Sequence, residues 1–133
     1  MIPPFDENGV LPAGVHSAPL AEIDARFGQT SEIRRVQMES VRWMVELARR
    51  AGARRIILNG SFVTDIIEPN DVDCVILMGR GGPKDRKTES ELRGGLPFLE
   101  IALVRQRDFD KMVNVYFASD RFGTPKGMVE VVG

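Results

Sequence analysis

Asn59-Gly60-Ser61-Phe62-Val63-Thr64 and, shortly after it, Pro69-Asn70-Asp71-Val72-Asp73 decide how this chain is read. Residues 55–59 (RIILN) are short, apolar and β-branched, the composition of a buried strand. Gly60-Ser61 breaks that strand, and residues 62–67 are predicted to form a brief helix that stops before Pro69. Residues 71–78 (DVDCVILM) read as a second strand, with Val72, Cys74, Ile76 and Met78 on one face and Asp71, Asp73, Val75 and Leu77 on the other. Both faces turn apolar along its length, which suits an interior strand covered on two sides.

The chemistry follows from this spacing. Side chains at i and i+2 of a strand leave on one face, so Asp71 and Asp73 are expected to point together. Two carboxylates on a mostly apolar strand repel each other and lose hydration unless a cation neutralises them. Magnesium suits the place, since it takes oxygen ligands and also accepts substrate phosphates. Gly60 lets backbone approach a ligand closely, the helix start after it offers unpaired N–H groups, and Ser61 adds a hydroxyl donor. Ser61 serving only as a helix cap is compatible with that role.

Around this centre the elements are regular. Residues 1–16 read as an extended arm with turns, docked by Ile2, Phe5, Val10, Leu11 and Val15. Ser17 is a possible cap for a short helix with Pro19 in its first turn and Leu20, Ile23 and Phe27 on one side, stopped by Gly28. The strongest helix follows, capped by Thr30 or Ser31 and ended by Gly52, with Ile33, Val36, Val41, Met44, Leu47, Ala48 and Ala51 at helical spacing. Trp43 is expected to pack at the edge of that face. Residues 79–96 form a polar, glycine-rich loop with a helical turn over 89–92, and residues 97–104 (PFLEIALV) a third strand. Asp108 is a candidate cap for a helix using Phe109, Met112, Val113 and Tyr116, and residues 128–132 are a last apolar stretch. The fold class is α+β, a small mixed sheet with helices packed on it, in one domain spanning 1–133.

With 43% hydrophobic and 28% charged residues the composition is that of a folded domain, and a formal net charge of -1 gives no bulk attraction to nucleic acid or anionic membrane. One cysteine, Cys74, and one histidine, His16, leave no disulfide framework and no cysteine- or histidine-rich metal centre. Cys74 is expected to be buried and inert, and His16 structural. No apolar run is long enough to span a bilayer and the start lacks the regions of a signal peptide, so the expected compartment is the cytoplasm. Arg80, Lys84, Arg86, Lys87 and Arg93 form a basic group in the long loop, expected beside the site and either solvated or in contact with phosphate, diluted by Asp85, Glu89 and Glu91.

Gly-Ser, this spacer, and Asp-x-Asp flanked by apolar residues resemble the signature of the DNA polymerase beta-like nucleotidyltransferase superfamily, over residues 55–104. That resemblance implies a nucleotidyltransferase-like fold and a third acid between apolar residues on a neighbouring strand, a description that Leu99-Glu100-Ile101 meets. Residues 113–117 (VNVYF) compete for the third-acid strand, with Asn114 in the acid's place, but residues 109–117 fit a helical period better. The start (IPPFDENGVLPAGVH) and the end (FASDRFGTPKGMVEV) resemble a little-characterised bacterial family related to these transferases. The resemblance implies transfer of a nucleoside monophosphate from a triphosphate such as ATP to a hydroxyl of RNA, protein or a small molecule. It assigns Asp71, Asp73 and Glu100 as catalytic residues holding two magnesium ions, with manganese as a substitute, and Gly60, Ser61 and Thr64 to the phosphates. The chain departs from the pattern in carrying Thr64-Asp65 where many active members carry a basic residue, and Glu for the commoner third Asp. A non-catalytic module that binds nucleotide, RNA or a protein partner, as half of a toxin–antitoxin-like pair, is the competing expectation.

Overall fold

The computed structural model describes residues 1–81, 84–116, 118–119 and 123–133. The strand read at residues 55–59 runs as β2 (Ala53–Asn59) and that at 71–78 as β3 (Val72–Met78). They pair antiparallel, with Ile57 opposite Val75, Leu58 opposite Cys74, and Asn59 opposite Asp73. Two strands flank them, β4 (Leu99–Val104) parallel to β3 and β5 (Gly127–Val132) antiparallel to β2. A fifth, β1 (Gly14–Pro19), lies parallel to β5 at the edge, so the order is β1-β5-β2-β3-β4. The sheet is mixed and helices pack on it, as the composition and patterning predict.

Both faces of β3 are covered. Val72, Cys74 and Ile76 join the larger core beneath α1 (Leu20–Phe27) and α2 (Glu32–Ala51), while Val75 and Leu77 join Ile57, Met128, Phe109 and Val113 in a smaller one. The second core is roofed by α4 (Gln106–Lys111) and the π-helical turn Met112–Tyr116 that continues it. Arg55 pins that roof: its guanidinium lies 4.9 Å from the Phe109 ring centroid and bonds both carboxylate oxygens of Glu130 at 2.7 and 2.8 Å.

The caps of α2 are those expected. Ser31 accepts from the Arg34 amide, and Gly52 turns left-handed at φ 96 to end the helix. Its buried face differs from the expected one. Val36 is 39% exposed and Trp43 51% exposed, whereas Arg34 is 2% exposed and Gln37 fully buried. Arg34 takes the inward place because it has acceptors there. Its guanidinium donates to the carbonyls of Phe27 at 3.0 Å, Phe62 at 2.7 Å, Thr64 at 2.8 Å, and Ile66 at 2.6 and 3.0 Å. Gln37 likewise donates to Pro69 O at 2.7 Å. The aromatic edge position gives Trp43 no such enclosure, and the packing role expected of it is not found.

Other expectations are corrected locally. Ser17 caps nothing, because residues 14–19 pair with β5 and helix α1 starts only after Pro19. Ile2 and Leu11 anchor the arm as expected, but Val15 is exposed on β1. The brief helix at 62–67 shrinks to a 3-10 turn, Ser61–Val63, since Arg34 captures the carbonyls that a longer helix needs. Within 79–96 the helical turn is a full helix, α3 (Arg86–Arg93), capped by Asp85 and packed through Thr88 and Leu92; Gly82 and Pro83 lie outside the described residues. The third strand starts at Leu99 rather than at residue 97, after Phe98 takes a left-handed φ of 67. Helix α4 begins two residues before Asp108, which sits in its first turn instead of capping it. Phe117, Asp120, Arg121 and Phe122, which fall in the helical run 109–117 and the quoted C-terminal stretch, also lie outside the described residues. Among the described residues no helix is long and apolar enough to cross a membrane.

Candidate functional site

Strand β2 ends at Asn59 and the chain turns at Gly60, whose φ of 82 and ψ of -163 belong to a region that essentially only glycine occupies. A Cβ added there would collide with the Asp73 carboxylate, so the missing side chain is what lets that carboxylate lie against the backbone bend. Ser61 opens the 3-10 turn with its hydroxyl making no hydrogen bond to a described residue. The bend is held from behind by Arg34, which burial pushes below the ordinary guanidinium range while the charge of Asp65 pulls the other way.

Asp73 and Glu100 are register partners on parallel neighbours β3 and β4, so their side chains leave the sheet side by side. They lie close enough for Glu100 to act on the Asp73 carboxyl. Burial first, then the shared hydrogen bond and negative charge of Glu100, push the Asp73 carboxyl up from 3.8 to about 6, with Lys126 opposing and Asp71 adding a smaller push. Near neutral pH this carboxyl is close to its titration point, where it can either hold or give up a proton. Both side chains open into a cavity of about 290 Å³ walled by Ile101, Ala102 and Met112.

The predicted residues divide. Gly60, Asp73 and Glu100 meet at one place, and Ser61 adjoins them. Asp71 precedes β3 and reaches Asp73 only through its charge. Among the described residues no group of three or more His, Cys, Asp or Glu side chains stands close enough to share a metal ion. Thr64 is not part of the site: its hydroxyl donates to Ser61 O at 2.7 Å and accepts from Ile66 N at 3.2 Å, and it lines a separate cavity with Arg34 and Asp65. The basic group is also not beside the carboxylates. Arg80 follows the far end of β3, and Arg93 is paired with Glu89 on α3.

Three participants escape a reading of the sequence. Asn59 is fully buried, faces the same side of the sheet as its partner Asp73, and has no hydrogen-bond partner for either Oδ1 or Nδ2. A buried, unmatched amide is costly, by about 1–3 kcal/mol, and calls for a ligand or water. Its only signal in the sequence is an amide closing an otherwise apolar strand just before Gly-Ser. Lys126, the one cation among the described residues acting on Asp73, and Met112, a cavity wall, come from distant segments and carry no local signal. Of the remaining expected bystanders, Cys74 is buried with its thiol pushed far up by burial, and His16 Nε2 lies 2.7 Å from Pro12 O, tying the arm to β1.

The donor set fits a hard divalent cation. Magnesium is commonly held by one or two carboxylates and completed by water and substrate phosphates, and here two carboxyls border an open cavity. No curated protein and no solved structure matches the chain. A family profile described as "Family of unknown function (DUF6932)" matches residues 3–132.

Proposed function

The chain belongs to this family of unknown function, and we propose that it is a magnesium-dependent nucleotidyltransferase of the DNA polymerase beta-like kind, with its site at Asp73 and Glu100. One observation carries the reading: Asp73 and Glu100 stand in register on adjacent strands, beside a glycine bend that the Asp73 carboxylate itself occupies. The Gly-Ser and Asp-x-Asp resemblance supports it, and a nucleotidyltransferase-like topology is part of the same proposal.

Asp73 and Glu100 would hold the metal ion. When bound, it neutralises charge on the triphosphate and on the carboxylate pair. Only Asp71 is left to serve a second ion. Ser61 Oγ, which makes no hydrogen bond to a described residue, donates to a terminal phosphate. The acceptor hydroxyl oxygen forms its bond to the α-phosphorus as the bond to the β-phosphate oxygen breaks. Pyrophosphate leaves with that electron pair. The hydroxyl proton passes to the Asp73 carboxylate, whose hold on a proton is strengthened by burial.

The test is transfer of label from α-labelled triphosphates to RNA and protein acceptors in magnesium or manganese. Transfer should vanish in both Asp73→Asn and Glu100→Gln, and label transfer that persists in the double variant refutes the proposal. A second reading, favoured by the lack of a third carboxylate in contact among the described residues, is a non-catalytic module that binds nucleotide, RNA or a protein partner in a toxin–antitoxin-like pair. Calorimetry separates the two, since magnesium-dependent triphosphate binding without any turnover supports the module.

A further inference from the structure

At the opposite end of the sheet from Asp73, three chain segments bring three arginines to one cavity. The β2–β3 register shifts there: Ala53 pairs with Met78 and Arg55 with Leu77, so Arg54 is an extra residue with no partner across the ladder. Bulges of this kind re-aim a side chain. Arg80 follows β3 after Gly79, and Arg105 ends β4 where the chain turns into α4. Arg54, Arg80, Arg105 and Gln106 border a cavity of about 170 Å³ floored by Leu77 and Met78. Gly79 keeps the wall thin: its amide donates to Gly52 O at 3.3 Å, and an added Cβ would press on that same carbonyl at 3.2 Å.

No acidic side chain among the described residues lines this cavity. Among the described residues none of the three arginines forms an ion pair, in contrast to Arg42, Arg55 and Arg93. Arg105 also lines the adjoining cavity with Asp108 and Glu89, where Glu89 is already paired with Arg93. Three arginines at one opening carry like charges that an anion joins, and their planar forks match the oxygens of a phosphate. The volume suits a phosphoryl group; pockets that enclose whole drug-sized ligands run to roughly 300–1,000 Å³.

We infer that Arg54, Arg80 and Arg105 form a binding site for a phosphate group, separate from the carboxylate pair by roughly 13 Å along β3 (four residues from Asp73 to Leu77). The group arrives either as a free phosphate or as the phosphomonoester of a nucleotide, with the base left outside the cavity. This inference is independent of the proposed transferase activity.

The experiment is a titration of the full chain with inorganic phosphate, and separately with adenosine monophosphate, at constant ionic strength. Calorimetry and amide chemical shifts are the readouts. Saturable binding with a dissociation constant at or below about 1 mM is expected, with shifts centred on residues 54, 79–80 and 105–106. The tighter of the two titrants names the source. All three arginines are exposed, so Arg54→Gln and Arg105→Gln should fold normally and each weaken binding by about 10- to 100-fold. Arg105→Lys should lose part of that, because an ammonium cannot bind in a fork. Asp73→Asn should bind phosphate as the parent does. The assignment is overturned if the double variant Arg54→Gln, Arg105→Gln binds phosphate unchanged, if chloride competes as well as phosphate, or if the shifts centre on Gly60 and Asp73.

Discussion

Replacing Asp73 by Asn should stabilise the metal-free protein, and only above the pH at which Asp73 ionises. The carboxyl is pushed from 3.8 to about 6 by burial and by Glu100. A group whose proton affinity is raised on folding makes the folded state hold a proton that the unfolded chain has lost. Its contribution is therefore fully present below pH 3.8, falls as the pH climbs through about 6, and stays lost above that. At about 1.4 kcal/mol per tenfold in proton affinity, the full conversion gives about 3 kcal/mol. The side chain keeps contact with water in its cavity, and screening reduces the figure to about 1–2 kcal/mol. Asn is nearly isosteric, carries no charge and can donate to Glu100, so Asp73→Asn should recover that amount at pH 8 and almost none at pH 4. For a chain of this length the gain is roughly 3–8 °C in Tm. The assay is thermal unfolding of both proteins in chelator across pH 4–8. The reasoning is refuted if Asp73→Asn lowers Tm at pH 8, or if its effect is the same at both ends of the range. Magnesium should narrow the gap at pH 8 by stabilising only the parent.

Arg34→Met should cost about 3–5 kcal/mol in urea unfolding, since it strands four backbone carbonyls that no other described donor is placed to satisfy. Gly60→Ala should destabilise by at least about 2 kcal/mol, through both its positive φ and the collision with Asp73; combining it with Asp73→Ala should return part of that loss in the same assay. Asn59→Leu should leave stability in the same assay unchanged or raise it by about 1 kcal/mol, because it removes two unmatched buried polar atoms.

The parts of this molecule that could be read from the chain are those whose signal is local. Ser31 and Gly52 delimit α2 by caps that act within four residues. RIILN and DVDCVILM announce two buried strands, and once they pair antiparallel the neighbouring LEIALV strand brings Glu100 level with Asp73. What escaped depends on partners far along the chain. Arg34 is inside because carbonyls 27–32 residues away converge on it. Strand β1 exists because β5, over a hundred residues later, offers it a ladder; its own side chains are mostly exposed and show no alternation. Thr64 resembled a phosphate ligand from its place after Gly-Ser, yet a hydroxyl two residues before an unsatisfied amide closes its own turn first. Asp71 fell outside the close pair because β3 begins at Val72, so the alternation that aligns Asp73 with Glu100 extends to Asp71 only as a loop residue.

Several features of the carboxylate patch each oppose stability. Gly60 occupies a conformation restricted to glycine, Asn59 buries an amide without partners, Asp73 is charged at a cost, and Arg34 is desolvated to hold the bend. Any one of them alone is unremarkable in a folded chain. Their concentration within the few residues around one turn is not what packing would select: an apolar residue at 59 and an amide at 73 would serve the fold better. The larger core, by contrast, is apolar and closely filled. Local costs that cluster beside an open cavity are the mark of a surface kept for a ligand. The charge on that surface also restricts the ligand. Two carboxyls, with Lys126 the one opposing charge on Asp73 among the described residues, repel a bare triphosphate, so phosphate binding there should require a divalent cation, while the arginine cavity at the other end of the sheet should take phosphate without one. A titration of phosphate in chelator, then in magnesium, therefore reads the two ends separately: the arginine end should respond in both, and the carboxylate end only in the second.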